Sequence, residues 1–287
     1  MAPLFMRAVI IGTGLIGGSI GMGLRHYGLA AEVVGVARRR STLRRAKRAG
    51  AIDRGMLDCR QAVSRADLVV LAAPVRTIEK LLTQHRSDFP AGCVLFDVGS
   101  TKADIVAQAE RLLPPPVHFV GAHPLAGAEK NGVEHGRQDL FSGAACILTP
   151  TPRTDARVLR TVESLWRRLG AKTYRLAPAD HDAAVAQISH LPHLLSAALV
   201  ASVSRAALPF AASGFRDTTR IAAGDPLLWR DIIFTNRRCI LNAVRALEKT
   251  LGTLRRAIQA GDEPAVVDFL TRAKQIRDSL PGGGRQP

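Results

Sequence analysis

Five short stretches of this chain concentrate residue types that do chemistry rather than packing. In Gly12-Thr13-Gly14-Leu15-Ile16-Gly17 three glycines stand at the spacing of a phosphate-cradling turn. Such glycines let the backbone turn tightly and approach a pyrophosphate. A helix opening there, at Leu15 and Ile16, offers free N–H groups and the positive end of its dipole. The second stretch is Asp97-Val98-Gly99-Ser100-Thr101-Lys102, and the third runs from Gly121 through His123 and Pro124 to Glu129. Ser189-His190-Leu191-Pro192-His193 and Gly214-Phe215-Arg216-Asp217-Thr218-Thr219-Arg220 complete the set. The chemistry on offer is proton transfer by an imidazole near neutral pH, and recognition of an anionic group by a guanidinium.

The position about 20 residues beyond the glycine turn selects the dinucleotide. A cofactor with a bare ribose wants Asp or Glu there to hold its 2′-hydroxyl. The chain instead has Ala37, followed by Arg38-Arg39-Arg40-Ser41-Thr42. Arginines and hydroxyls at that point favour a 2′-phosphate. The expectation is therefore NADP as preferred cofactor, with NAD possible, held by Gly12, Gly14, Leu15, Ile16, Gly17, Arg38, Arg39 and Ser41. The alternative is a solvated basic face, because Arg44, Arg45, Lys47 and Arg48 continue the run.

These residues need a scaffold, and the first half supplies it by alternating strand and helix. Apolar runs at 8–11, 33–36, 68–71, 94–96, 118–120, 145–148 and 173–176 read as strands. Helical patterns lie between most of them, with Ser41 expected to cap one helix. The alternation predicts an α/β fold with a Rossmann-type, doubly wound parallel sheet. After Pro178 no strand pattern is found. Apolar-periodic stretches at 183–208, 227–260 and 264–279 predict an all-α C-terminal domain. The middle one reads as a single helix of about 34 residues, roughly 50 Å at the helical rise. Its length and the apolar run 194–203 predict a two-fold homodimer. The expected domains are residues 1–178 for the dinucleotide and 179–287 for dimerisation and substrate.

Composition narrows the function classes. The 287 residues are 47% hydrophobic and 22% charged, which excludes disorder. Four dispersed cysteines form no CxxC pair, so neither a disulfide framework nor a metal site is expected. No targeting or membrane-spanning segment is evident, and a cytoplasmic protein is expected. The net charge of +16 comes from 33 arginines and only seven lysines. It permits nucleic-acid binding but suits an enzyme of polyanionic ligands equally. With 5% aromatic residues and no basic element interleaved with them, no nucleic-acid partner is expected.

Taken in order, GTGLIGGS, DVGSTK, GAHPLAGAEKNG, SHLPH and FRDTTRIA-x-x-DPLLWRDI resemble the prephenate/arogenate (cyclohexadienyl) dehydrogenase family of tyrosine biosynthesis. The resemblance covers nearly the whole chain. It implies NAD(P)-linked oxidative decarboxylation of a cyclohexadienol, with a small-molecule substrate and no additional mutase or regulatory segment. Hydride leaves ring C4 while a base takes the hydroxyl proton, and loss of CO2 then aromatises the ring. His123 is the natural base. By family position Ser100 bonds the same hydroxyl or orients His123, although alone it also reads as a helix cap. Arg220 is implied as the clamp on the ring carboxylate, and His193 as a contact to the substrate side chain. Glu129 and Asp217 are implied as a gate around Arg220, and His181 and Asp182 as lining the cleft. Trp229 is implied to reach the partner's site across a dimer.

Two other readings stand beside this one. A related dehydrogenase of amino-prephenate or a β-hydroxyacid shares the architecture, but Lys249 and Lys274 lie too late to serve as the latter's helix-borne lysine. A dinucleotide-sensing or nucleic-acid-binding regulator is motivated only by the charge.

Overall fold

In a computed structural model, residues 2–127 and 132–280 are described. They fall into two compact units, divided between Arg237 and Arg238. The first holds a single sheet of β1 (Phe5–Ile11), β2 (Ala30–Val36), β3 (Arg54–Met56), β4 (Leu68–Leu71), β5 (Val94–Asp97), β6 (His118–Pro124), β7 (Ala145–Thr149) and β8 (Lys172–Arg175). Their order across the sheet is β3-β2-β1-β4-β5-β6-β7-β8. All pairs are parallel except β6 with β7, so the sheet is mostly parallel rather than wholly so. The antiparallel pair sets Cys146 opposite Pro124 and Ile147 opposite His123.

The strands are apolar throughout because both faces are covered. Ala8, Ile10, Val33, Leu68, Val70 and Phe96 share one core with helices α1 (Leu15–His26), α2 (Arg40–Arg48) and α6 (Ala156–Arg168). The alternate residues Val9, Ile11, Val34, Val69 and Leu71 share the other with α3 (Cys59–Val63), α4 (Val75–His85) and α5 (Ala103–Leu112). A strand's period of two makes this division. Trp166 is fully buried between Phe96 and Phe141. The short β3 and α3 carry too little periodicity to be read from sequence.

The helical segment of the first unit comprises α7 (Pro178–Val185), a π-helical turn (Ala186–His190), α8 (Leu191–Ser202), α9 (Ser213–Thr219) and α10 (Pro226–Thr235). The run 178–202 is apolar and long enough to cross a membrane by length and composition alone. Its His181, Asp182 and His190 are nevertheless buried and hydrogen-bonded within this unit. The expected 34-residue helix is two: α10 ends at Asn236 (φ −121°, ψ 29°) and α11 (Arg237–Ala260) begins anew. An apolar period survives such a break, which is why sequence alone joined them. In the second unit Gly261 turns the chain at φ +64°, and Asp262 caps α12 (Glu263–Asp278) by accepting from Ala265 N–H. No strand follows Arg175 among the described residues.

Two expected caps are corrected. Ser41 lies inside α2, whose cap residue is Arg39 with no side-chain bond. Ser100 likewise does not cap α5; Lys102 holds that position.

Between β5 and α5 the chain buries an ion pair. Lys102 Nζ donates to Asp97 Oδ2, with both side chains 0% exposed. Burial pushes the Asp97 carboxyl up and the Lys102 ammonium down, each opposed by its partner. Removing one member leaves an uncompensated buried charge. Lys102→Met should therefore lower unfolding free energy by about 3–5 kcal/mol in urea titration. Adding Asp97→Asn, which keeps an acceptor for Gly99 N–H, should return much of that loss. A double variant no more stable than Lys102→Met would reject the account.

Candidate active site

The glycine turn sits where β1 meets β2 and β4 at their carboxyl ends. Gly12 N–H donates to the Val36 carbonyl at 3.0 Å, and its φ is +101°. A Cβ on Gly12 would lie 2.1 Å from the Ala72 carbonyl oxygen, and one on Gly17 would lie 2.0 Å from the Gly12 oxygen. Both positions demand glycine. Gly14 differs: a Cβ there would meet nothing within 4 Å, so the turn faces open space at the start of α1. No acid lies in the first turn of α1. That cradle fits a pyrophosphate above the N–H groups of Leu15, Ile16 and Gly17. Arg38, Arg39 and Ser41 are exposed just beyond β2, with Ala37 half-buried at its end.

β5 and β6 end on the same edge of the sheet, because they run parallel to β1 and β4. His123 is buried near the end of β6, and Ser100 is half-buried in the loop after β5. His123 Nδ1 lies 2.8 Å from His181 Nε2. His181 Nδ1 lies 2.8 Å from Asp182 Oδ1. Asp182 also accepts from Lys102 N–H at 2.8 Å and Ala103 N–H at 3.0 Å, so it caps α5 from a distant segment. His181 is 0% and Asp182 3% exposed. The family resemblance set both along the substrate cleft; here both are buried beside His123. They stand behind His123 with their hydrogen-bonding capacity spent on protein.

Asn236, at the break between α10 and α11, closes this cluster. Its Nδ2 donates to the Asp182 carbonyl at 2.7 Å and lies 3.2 Å from His190 Nδ1. Thr235 Oγ1 is 3.0 Å from Thr101 Oγ1. Sequence reasoning passed over Asn236, Thr235 and the Asp97–Lys102 pair. The one available signal was a polar Thr-Asn step interrupting an apolar period.

His193 and Trp229 stack face to face, with centroids 3.5 Å apart and planes at 9°. Trp229 thus packs on a histidine of its own chain. Gly224 approaches them so closely that a Cβ would lie 2.5 Å from Trp229 Nε1 and 3.0 Å from His193 Cε1. Arg220 begins the turn Arg220–Ala223, which follows α9 and packs on α8. The nearby Ile221 backbone favours the protonated form of His193, against the larger effect of burial. Arg220 and Asp217 are both exposed. Glu129, the other expected gate residue, lies outside the described residues.

Burial governs the electrostatics. It holds His123 well below the ordinary 6.5, helped by His181, Lys102 and His190 nearby. His190 is pushed down to about 4 by burial, against the pull of Asp182. Burial lowers His193 too. His123 is therefore neutral at physiological pH and able to accept a proton.

Residues 20–175 match a family model described as "Prephenate dehydrogenase, nucleotide-binding domain", and residues 177–272 match "Prephenate dehydrogenase, dimerization domain". The prephenate dehydrogenase of Bacillus subtilis (strain 168) is 33% identical over 95% of this chain and 76% of that relative. The solved prephenate dehydrogenase from A. aeolicus, in complex with hydroxyphenyl propionate and NAD+, superposes with a TM-score of 0.89 at 32% identity. It covers 95% of this chain and 97% of that one. Synechocystis arogenate dehydrogenase gives a TM-score of 0.80 at 33% identity, over 95% of this chain and 99% of that one.

The depressed histidines predict acid sensitivity. Their folded pKa values lie below the unfolded 6.5, so between that pH and about 4 the unfolded chain binds more protons. Stability is therefore full above pH 6.5 and lost as pH falls towards 4. Each such histidine contributes up to about 1.4 kcal/mol per pH unit. Urea titrations between pH 7.5 and 5, above the ordinary carboxylate range, should show this decline. His190→Gln should flatten it. A pH-independent unfolding free energy over that interval would contradict the assignment.

Proposed function

The chain belongs to the prephenate dehydrogenase family, and from that premise and the site we infer that it oxidatively decarboxylates prephenate, arogenate or both. The products are 4-hydroxyphenylpyruvate or tyrosine. One observation carries the reading: a histidine kept neutral by burial ends β6 on the same sheet edge as a glycine turn open to pyrophosphate. When bound, the nicotinamide supplies the acceptor for the hydride from ring C4. His123 takes the C4 hydroxyl proton, and Ser100, from the loop after β5, bonds that hydroxyl or orients His123. Loss of CO2 aromatises the ring and needs no second strong acid. Arg220 grips the ring carboxylate, and His193 contacts the substrate side chain from its stack on Trp229. Asp217 and Glu129 gate Arg220.

We assign the cofactor preference to NADP, with NAD accepted. The support is the missing acid at the end of β2 and the exposed Arg38, Arg39 and Ser41 beside it. We also assign a homodimer through residues 180–280. Its support is the dimerization-domain match and the apolar side chains left exposed, such as Phe210 at 84% and Ile276 at 68%. The positive charge then serves anionic ligands of a cytoplasmic enzyme.

Purified protein assayed with prephenate and arogenate, each with NADP and NAD, should turn over at least one substrate. His123→Asn should lower kcat by about 10²–10⁴-fold with little change in substrate KM. Activity on neither substrate overturns the function. A variant keeping more than about a tenth of kcat removes His123 as the base.

A 2′-phosphate gains charge-assisted hydrogen bonds at Arg38 and Arg39, each typically about 1.5–3 kcal/mol before screening. NADP should therefore be preferred by roughly tenfold or more at moderate salt. Arg38→Ala with Arg39→Ala should erode that preference through cofactor KM, leaving kcat at saturating NAD intact. Equal or better kcat/KM with NAD in the unaltered enzyme would reduce these arginines to a solvated surface run.

A further inference from the structure

We infer that His181 and Asp182 form a relay that fixes which nitrogen of His123 is the base, making both positioning residues for the reaction. The inference rests on the reading of His123 as base. Its logic is a chain of donors and acceptors running inward from α5. Asp182 offers only acceptors, and both its oxygens are engaged by backbone N–H groups, Oδ1 by Lys102 and Oδ2 by Ala103. A carboxylate has no proton to give. The contact of 2.8 Å between Asp182 Oδ1 and His181 Nδ1 is therefore donated by the imidazole. A neutral imidazole protonated at Nδ1 carries its lone pair at Nε2. That lone pair faces His123 Nδ1 at 2.8 Å, so His123 must be the donor there. Its own lone pair then resides on Nε2, the one nitrogen left for the substrate proton.

Two further features hold the relay rigid. His181 is 0% exposed, so water cannot substitute for either partner. Asp182 is anchored at its carboxylate by α5 and at its carbonyl by Asn236 Nδ2 at 2.7 Å. The reverse tautomer of His123 requires a doubly protonated His181, a charge placed at a fully buried ring. During the reaction one proton moves, from the substrate hydroxyl to His123 Nε2. The resulting imidazolium already directs Nδ1–H at His181, and no proton passes to Asp182. This is the orienting logic of a nucleophile–base–acid triad, extended by one imidazole.

The resting enzyme, labelled with ¹⁵N-histidine, provides a test that needs no turnover. His123, identified by difference against His123→Asn, should show a protonated Nδ1 and a bare Nε2. A protonated Nε2 in the resting enzyme overturns the relay. Kinetics provide the second arm. His181→Phe keeps a flat ring but offers no acceptor, and should lower kcat about 100-fold while substrate KM changes less than about threefold. His181→Gln presents an amide oxygen to His123 Nδ1–H and should recover at least about tenfold of that loss. Equal kcat in the two variants, or full kcat in His181→Phe, overturns the relay. If His123→Asn itself remains active, the base assignment fails instead. Retained cofactor affinity in each variant separates either outcome from misfolding.

Discussion

The carboxylate of Asp182 is the constraint on which the site depends. A carboxylate at 3% exposure has to be satisfied by fixed donors, since water cannot do it. The first N–H groups of α5 supply two of them, at the end of the helix where the dipole also favours negative charge. Oδ1 is left with capacity for one more donor, and His181, the preceding residue of α7, provides it. Through this single group the start of α5, helix α7 and the end of β6 share one geometry. Asn236 adds a fourth element by bonding the same residue's carbonyl.

Beneath that network the Asp97–Lys102 pair settles the electrostatics of the loop after β5. Lys102 takes part twice, with its ammonium on Asp97 and its backbone N–H on Asp182. Both charges are buried and oppose each other, and the Lys102 ammonium also helps to hold His123 below its ordinary range. Burial then decides the histidines' state. His123, His190 and His193 are all held below their ordinary range and stay neutral. The molecule thus combines a strongly basic surface, +16 overall, with a neutral interior around its imidazoles.

Sheet topology brings the two halves of the chemistry together. Parallel pairing of β1, β4, β5 and β6 sends the glycine turn, the Ser100 loop and His123 to one edge. Gly12 and Gly17 pack against backbone there, while Gly14 faces open space. Two of the glycines are required by packing within the fold, and the middle one is not.

Much of this was legible in the residues themselves. Alternating apolar runs require strands buried on both faces, glycine spacing requires the turn, and the five ordered stretches identify the family. Those signals are local, or depend only on order along the chain. The positions of Ser41 and Ser100 within their helices were not legible, because a hydroxyl near a helix start is a cap only if the backbone actually begins there. Nor was the end of α10 at Asn236, since an apolar period continues across a break that a buried amide imposes. The roles of His181 and Asp182 depended wholly on the tertiary structure. Adjacent in sequence, they contact β6 and α5, about 58 and 80 residues earlier. Only the folded chain brings a carboxylate to a helix terminus that distant, and only that contact leaves it one direction in which to accept a proton's hydrogen bond.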